Sequence, residues 1–447
     1  MIAELNYNWV VVGSQFSAAI GAYLAKQNSA RVALLDQNTN LCSSMRGKQW
    51  GGFQLDFGCQ MFSSYGSGKD DPIYAILDGD VVWLQRRLAS VIQGQLTQGF
   101  EFPDLSAYGP DTSGRILTEL VETATHEAGP PASMAEALHQ RYGPTAAALI
   151  SKLTRETYGL DTRSLAPEAY EMLPFRRLVL TSDAVARMLK TIGKLDDRIA
   201  ARDIISTRTA TQGPVYYPAK GGMATFCDRA EQQLRAMKVS MMLGRKINQL
   251  QLEGDAIKVS LDNGKVLRTN HILWATNPDQ LSGFLDFPQK VSEQISSVPL
   301  IAYYFDIGTE QAGPYTYVQS FDEQEVFFRG SVPGSYGTDT CPPGRSYACG
   351  EILTSLTSDV WKDPSAYTSR VWREMLNRGV VTGSSFRDSH IISTPVSYSF
   401  PKIGYASALD QLQRRLESFP NIHLIGRPRS GRHETVETIR NLLAASQ

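Results

Sequence analysis

The chain has 447 residues, more than one hydrophobic core usually supports, and this length predicts two or three domains. Hydrophobic residues make up 42% and charged residues 20%, which is ordinary for a globular protein. The 44 lysines and arginines balance 45 acidic residues. Nucleic acid is therefore not expected as the main partner, because phosphate binding needs an excess of cations.

No targeting or membrane signal stands out along the chain. The best N-terminal apolar run, residues 9–13, is short and follows Glu4, and no run approaches the roughly 20 residues that cross a bilayer. The five cysteines are scattered without a CxxC pair, so neither a disulfide framework nor a metal site is expected. These features predict a cytoplasmic protein with a small-molecule substrate and no integral membrane segment.

The N-terminal segment has the pattern of a βαβ unit. Residues 8–12 form an apolar, β-branched run, and residues 13–17 form a turn of small and polar residues. Residues 18–26 have helical composition, and a second apolar run over residues 31–35 ends at Asp36. This succession predicts a strand, a tight turn, a helix and a second strand.

Helical patterns dominate residues 70–203 and predict a helical insert. Strand patterns return at residues 215–217, and the Asn-Gly turn at 263–264 favours a hairpin. Residues 286–395 alternate like antiparallel strands, and the tail predicts helix, strand and helix. The helices predicted within the insert span residues 72–77, 79–90, 115–126, 133–141, 144–158 and 182–195.

The βαβ unit carries part of a dinucleotide-binding signature. Gly13 ends the first strand, where a glycine lets the backbone approach a pyrophosphate at a helix N-terminus. Asp36 ends the second strand, where a carboxylate accepts hydrogen bonds from a ribose. Gln15 and Ala18 stand where two further glycines are usual. On this motif alone, a βαβ unit that binds no nucleotide stays open, and Gln15 can instead donate its side-chain amide to a phosphate.

Further segments complete a pattern that extends over nearly the whole chain. In this order they resemble the flavin-dependent amine oxidase superfamily, with protoporphyrinogen oxidase-like and UDP-galactopyranose mutase-like proteins as the nearest branches. The resemblance implies FAD as cofactor and an α/β fold: a Rossmann-like FAD-binding domain, a helical insert and an antiparallel-sheet substrate domain. The segments are residues 10–13 with Asp36, 52–58, 217–223, 274–276 and 420–427.

The resemblance also implies how the domains divide the chain. The FAD-binding domain is expected to be discontinuous and built from residues 1–69, 204–285 and 396–447. Residues 70–203 are expected to form the helical insert or cap, and residues 286–395 the strand-rich domain that faces the substrate.

The same resemblance implies which residues hold the cofactor. Ser43 and Ser44 stand where the family has a glycine pair, and the arginine just behind them is expected at the pyrophosphate. The residues expected at FAD are Gly13, Gln15, Phe16, Ser17, Asp36, Gln37, Arg46, Gly58, Met61, Ile247, Ala275, Gly426, Arg427, Thr435 and Val436.

Arginines mark the expected substrate site. Arg329 resembles an arginine in the substrate pocket of mutase-like proteins, and Arg176 follows Pro174 as in the same group. An arginine that points inward from a sheet suits an anionic substrate such as a diphosphate, although a solvated strand residue stays the alternative. Arg176, Arg329, Tyr317 and Arg432 are expected to bind the substrate, and Arg329 and Gln60 to act in catalysis.

Three functions are compatible with these features. The preferred one is an FAD-dependent oxidoreductase that oxidises a small substrate, an anionic one included, by hydride transfer to flavin N5. The second is a nucleotide-sugar mutase, but the histidine-rich loop of such proteins is replaced here by Gly58, Cys59 and Gln60. The third is a non-catalytic protein that keeps the fold, and it rests on Gln15 and the serine pair.

Overall fold

The computed structural model of the chain describes residues 5–28, 31–64, 70–201, 215–287, 290–426 and 432–445. Its strands are β1 (Leu5–Val12), β2 (Val32–Asp36), β3 (Lys48–Trp50), β4 (Phe53–Leu55), β5 (Phe62–Ser63), β6 (Val81–Leu84), β7 (Leu88–Ile92), β8 (Gln95–Gln98), β9 (Val215–Pro218), β10 (Ser240–Leu243), β11 (Ile247–Glu253), β12 (Ala256–Leu261), β13 (Val266–Trp274), β14 (Ile295–Gly308), β15 (Tyr317–Ser320), β16 (Arg329–Ser331), β17 (Arg345–Leu353), β18 (Asp388–Pro401) and β19 (Ile422–Leu424). Its helices are α1 (Phe16–Asn28), α2 (Pro72–Ile76), α3 (Pro110–Thr125), α4 (Met134–Tyr142), α5 (Pro144–Tyr158), α6 (Asp183–Leu189), α7 (Gly222–Ala236), α8 (Pro278–Phe284), α9 (Asp359–Lys362), α10 (Thr368–Asn377), α11 (Tyr405–Leu416) and α12 (Arg432–Ala445).

The predicted βαβ unit is present as β1, α1 and β2, at the centre of a mostly parallel sheet. The parallel strands follow the order β10-β2-β1-β13-β19, and the hairpin β11–β12 extends the sheet beside the first half of β13. All five residues of β2 are buried, as expected for a strand covered on both faces. This sheet confirms the Rossmann-like part of the predicted fold.

Helices cover both faces of the parallel sheet. Val11, Leu34 and Leu273 face one layer, in which α1 packs against α7 and α12. Their neighbours Val10 and Leu35 point to the opposite layer, which holds α8 and α11. Successive strand residues alternate between the two layers, so the carboxyl ends of the strands are left as the accessible edge.

The second sheet has the order β18-β14-β17-β16-β15-β7-β8. Its neighbours are antiparallel except for β15 and β7, which run parallel. One face packs against the helical segment α3–α5, and the other face packs against α10. The face that packs against α3–α5 also packs against Phe53 and Leu55 of β4.

Part of the predicted helical insert is wrong. Residues 79–90 form β6 and the start of β7 rather than a helix. Asp78 and Gly79, both with positive φ (55° and 73°), end α2 in a tight turn. The following Val-Val-Trp-Leu run then pairs with β9, because β-branched and aromatic residues fit a strand better than a helix.

Among the residues that the structure describes, no helix is long and apolar enough to cross a membrane.

The turn after β1 depends on a glycine. Gly13 has φ +132°, and a Cβ placed there would lie 2.9 Å from the Ala275 carbonyl oxygen. We expect Gly13→Ala to lower the free energy of unfolding by about 1–3 kcal/mol, because both the backbone and its neighbour must shift. Urea denaturation with Gly114→Ala as control checks this, since Gly114 lies within α3 with no atom within 4 Å of its Cβ position. A control that unfolds as early as Gly13→Ala would contradict the proposed strain.

Cofactor groove and candidate active site

A groove opens at the carboxyl ends of the parallel strands β1, β2 and β13. It encloses a cavity of about 420 Å³. Asp36 is only 7% exposed there, and its Oδ1 accepts a hydrogen bond from the Asn38 backbone N–H at 2.8 Å. The residues around the cavity include Val12, Asp36, Gln37, Lys246, Ile247, Trp274 and Thr276. The groove thus brings together Asp36, Gln37 and Ile247, as the sequence predicted for a cofactor.

Gln15 connects the turn after β1 to the two serines that replace a glycine pair. Its Nε2 donates to Ser43 Oγ at 2.9 Å, and its Oε1 accepts from Ser44 N–H at 3.1 Å and from Ser44 Oγ at 2.6 Å. The two departures from the usual dinucleotide signature are therefore neighbours in space. Because these groups are exposed and polar, they form one small donor-rich surface at the start of α1.

Other residues predicted at the cofactor surround this surface. Ser17 lies against Gly426, where a Cβ would come within 2.7 Å of its hydroxyl, and Gly426 has φ +83°. Arg46 forms a salt bridge with Asp228 of α7. Phe16 packs against Phe62 and other core aromatics, and Thr435 and Val436 are buried at the start of α12. Arg427 lies outside the described residues, as does the side chain of Arg432.

A buried carboxylate, Asp56, joins the cofactor half to the second sheet. Its Oδ1 accepts from the Met223 N–H at the start of α7 at 3.1 Å, and Tyr217 donates its hydroxyl to Oδ2. The Asp56 backbone N–H donates to the Tyr347 hydroxyl at 3.1 Å, and its carbonyl accepts from the Tyr304 hydroxyl at 2.7 Å. One residue therefore binds α7, β9 and two strands of the second sheet.

Burial raises the pKa of Asp56 to about 7, and the hydrogen bonds from Tyr217 and Met223 act in the opposite direction. The carboxyl is fully buried, so its charged form loses solvation that these two donors only partly replace. Gly222 is needed beside it, because a Cβ there would lie 2.9 Å from Asp56 Oδ1.

The loop that follows Asp56 lies against a buried ion pair. Arg329 donates through Nε and Nη2 to the two oxygens of Glu351, at 2.8 and 2.7 Å, and Nη2 also reaches the Tyr398 hydroxyl at 2.9 Å. Glu351 is 2% exposed and also accepts from the Cys59 N–H at 3.3 Å. A Cβ on Gly58 would lie 2.7 Å from this carboxylate, so the loop depends on glycine at that position.

Two further groups line the same region. Cys59 Sγ lies 3.2 Å from the Tyr336 hydroxyl, and burial raises the pKa of the Cys59 thiol to about 11, so it stays neutral. Tyr317 donates its hydroxyl to Glu101, which also pairs with Arg86 Nη2 at 3.2 Å. Tyr317 and Arg329 therefore lie on the same sheet, but both already have partners.

The remaining predicted residues are placed less centrally. Gln60 Nε2 donates to the Phe57 carbonyl at 3.0 Å, whereas its Oε1 is buried without a partner. Met61 packs at the edge of the core beside α1 and α7. The backbone carbonyl of Arg176 accepts from Arg141 Nη2 at 3.1 Å, within the helical segment. A role of Arg176 in substrate binding stays a prediction.

Sequence reasoning missed the acidic members of this site. Glu351 is a single carboxylate inside the otherwise apolar strand β17, and such a residue indicates a buried partner. Asp56 lies two residues before Gly58 in a segment that carried the family pattern, but its bonds to α7 and the second sheet join residues far apart in sequence. The ion pair of Arg86 and Glu101 was not predicted, because residues 79–90 were assigned to a helix and no local pattern indicated the pairing.

Comparison with solved structures places this arrangement in a known fold. A reduced UDP-galactopyranose mutase superposes with a TM-score of 0.72 and 17% identity, covering 99% of this chain and 94% of that chain. A protein described as a protoporphyrinogen oxidase, from Exiguobacterium sp. 255-15, has a TM-score of 0.66 and 13% identity, covering 100% and 99%. The chain shares its fold with both of these solved structures.

Other comparisons agree with this fold. Putrescine oxidase bound to putrescine superposes with a TM-score of 0.62 and 12% identity, covering 99% of each chain. The profile of the NAD(P)-binding Rossmann-like domain family matches residues 11–78, which begin at β1 and include α1 and β2. No curated protein matches the sequence. The predicted resemblance to the flavin amine oxidase-like superfamily is thus confirmed as a fold.

The raised pKa of Asp56 makes a testable contribution to stability. Because the folded pKa of about 7 lies above the ordinary value of 3.8, this contribution is complete below pH 3.8 and is lost as the pH rises through 7. Asp56→Asn resembles the protonated carboxyl, so we expect it to be more stable than the wild type at pH 8, by on the order of 4 kcal/mol, and similar at pH 4.

Urea unfolding across this pH range measures the difference. Asp56→Ala is the comparison, because it leaves Met223 N–H and the Tyr217 hydroxyl without an acceptor and should lose about 2–5 kcal/mol at pH 4, where the wild-type carboxyl is protonated. A constant difference between wild type and Asp56→Asn from pH 4 to pH 8 would show that the carboxyl does not titrate in this window.

Proposed function

We propose that the protein is an FAD-dependent oxidoreductase that oxidises a small molecule between the Gly58–Met61 loop and the second sheet. The observation that carries this proposal is a set of contacts that ties the parallel-sheet half to the second sheet at the Gly58 loop. Asp56 bonds both to α7, which packs on α1, and to the second sheet, and Glu351 bonds both to the Cys59 N–H of the loop and to Arg329. A dinucleotide bound at the carboxyl edge of the parallel sheet places its distal end toward this loop.

The residues of the groove fit FAD. Gly13 has φ +132° and packs directly against the Ala275 carbonyl, so the turn from β1 into α1 is as tight as a nucleotide-binding helix N-terminus requires. Asp36 would accept hydrogen bonds from the adenosine ribose, and the Ser43 hydroxyl, which accepts from Gln15, would donate to phosphate in place of a glycine N–H group. When bound, FAD supplies a flavin that accepts a hydride at N5.

The other side chains of the site have supporting roles in this proposal. Glu351 holds the Cys59 N–H and thereby orients the loop, and Arg329 holds Glu351 through two parallel bonds. The neutral Cys59 thiol lies 3.2 Å from the Tyr336 hydroxyl, so this part of the loop is also held in place. An ordered loop of this kind favours hydride transfer because it keeps the reacting atoms in a fixed geometry.

A mutase is the second candidate, and the superposition with UDP-galactopyranose mutase favours it. A mutase leaves no net change in the redox state of its substrate, whereas an oxidoreductase does. Anaerobic addition of substrate separates the two: the oxidoreductase bleaches the flavin absorbance as substrate is consumed, and the mutase does not. Product formation by pre-reduced enzyme without bleaching of the oxidised form would overturn the oxidoreductase assignment.

The cofactor placement is tested at Asp36. We expect Asp36→Ala to weaken FAD binding by about 1–3 kcal/mol, because a charge-assisted hydrogen bond to the ribose is lost. Titration of apoprotein with FAD, followed by quenching of flavin fluorescence, measures the change. Asp255→Ala is the matched control, since Asp255 is an exposed carboxylate in the turn between β11 and β12. Equal FAD affinity in wild type and Asp36→Ala would mean that the groove does not hold the ribose.

A further inference from the structure

The arginines of the candidate active site are already neutralised. Arg329 is paired with Glu351 at 2.8 and 2.7 Å, and Arg86 is paired with Glu101 at 3.2 Å. Both of these positive charges therefore have a negative partner. The Cys59 thiol near Arg329 is neutral, because burial raises its pKa to about 11. Within the described part of the chain, neither of these two arginines offers an anion an uncompensated positive charge.

The Arg329–Glu351 pair is difficult to open for an anionic ligand. Glu351 is 2% exposed, and it is held by the Cys59 N–H as well as by both guanidinium donors. An anion that took over these donors would leave a buried carboxylate without its counter-charge, which is strongly unfavourable. An anion that approached without displacing Glu351 would meet a neutral ion pair, which offers little attraction to offset the anion's loss of solvation.

One donor of Arg329 and one acceptor of Gln60 have no hydrogen-bond partner among the described residues. Arg329 uses Nε and Nη2 for Glu351 and Tyr398, and its side chain keeps 20% exposure, so Nη1 has no partner among the described residues. On the loop side, Gln60 Oε1 is buried with no partner among the described residues. An uncharged group that accepts a hydrogen bond can still use the remaining Arg329 donor, since this contact does not compete with Glu351.

We propose that Glu351 determines the charge class of the substrate. By neutralising Arg329 it excludes anions, so that the group of the substrate that meets Arg329 carries no negative charge. This inference rests on the proposed function, whose active site it describes. It replaces the sequence-based expectation that Arg329 binds an anionic substrate with a role in which Arg329 offers only its remaining donor.

The test removes the charge of Glu351 without removing its shape. Calorimetry measures binding of succinate to the wild-type protein, to Glu351→Gln and to the control Glu374→Gln. Glu374 is also a buried carboxylate paired with an arginine, Arg370, at 2.8 Å, but it lies on α10 behind the opposite face of the sheet. We expect at least a tenfold gain in succinate affinity for Glu351→Gln only. The gain should disappear in the double variant Arg329→Ala/Glu351→Gln, because the freed guanidinium is its source.

A second variant tests the proposal independently in case Glu351→Gln does not fold. Arg329→Gln leaves the carboxylate uncompensated and should shift preference toward the dication putrescine, with 1,4-butanediol as the uncharged probe of the same length. Succinate binding by the wild type that Arg329→Ala abolishes would overturn the proposal. So would the absence of any gain in a folded Glu351→Gln protein.

These outcomes are separable from failure of the proposed function. Calorimetry reports binding of succinate or putrescine whether or not the protein carries FAD. Visible absorbance of the same samples reports bound flavin independently. A colourless protein that FAD cannot restore refutes the proposed function, whereas a coloured protein with unaltered charge preference in both variants refutes only the role of Glu351.

Discussion

The arrangement of this protein depends on one buried carboxylate. Asp56 accepts hydrogen bonds from the start of α7 and from Tyr217, and its backbone is bonded by Tyr304 and Tyr347 of the second sheet. Because a buried polar group is costly unless its partners are present, the two halves of the molecule must meet in one register at this point. The loop of Gly58 follows directly, so the position of the candidate active site is a consequence of how this carboxylate is satisfied.

The second constraint is a charge balance on the sheet that faces this loop. An arginine on such a face, taken alone, indicates an anion site, and Arg329 was predicted as one. The carboxylate of Glu351, opposite it in register on β17, changes the meaning of the same residue. The Arg329 guanidinium donates to the buried Glu351, and Glu351 in turn accepts a hydrogen bond from the Cys59 N–H of the loop. The chemistry of a site is therefore set by net charge and by which donors remain unoccupied, and less by the presence of a single arginine.

Local patterns predicted most of the elements correctly. The β-branched run, the small-residue turn and the apolar run up to Asp36 are short-range features, and they fold as β1, α1 and β2. The prediction failed at residues 79–90, where an apolar segment with no clear period was assigned to a helix. Its strands are stabilised by pairing with β9 and β15, which lie more than a hundred residues away along the chain, and no local pattern reports such partners.

The sequence by itself determined the class of fold and the nucleotide-type groove, because strand, turn and helix signals and the carboxylate at Asp36 are local. It also identified Gln15 and the pair Ser43 and Ser44 as departures from a glycine signature. Only the tertiary structure decided that these three residues bond to one another, that Asp56 joins the two halves, and that Glu351 neutralises Arg329. Each of these is a contact between residues distant in sequence, and the energies of the Asp56 and Glu351 contacts depend on burial, which exists only once the sheets have packed.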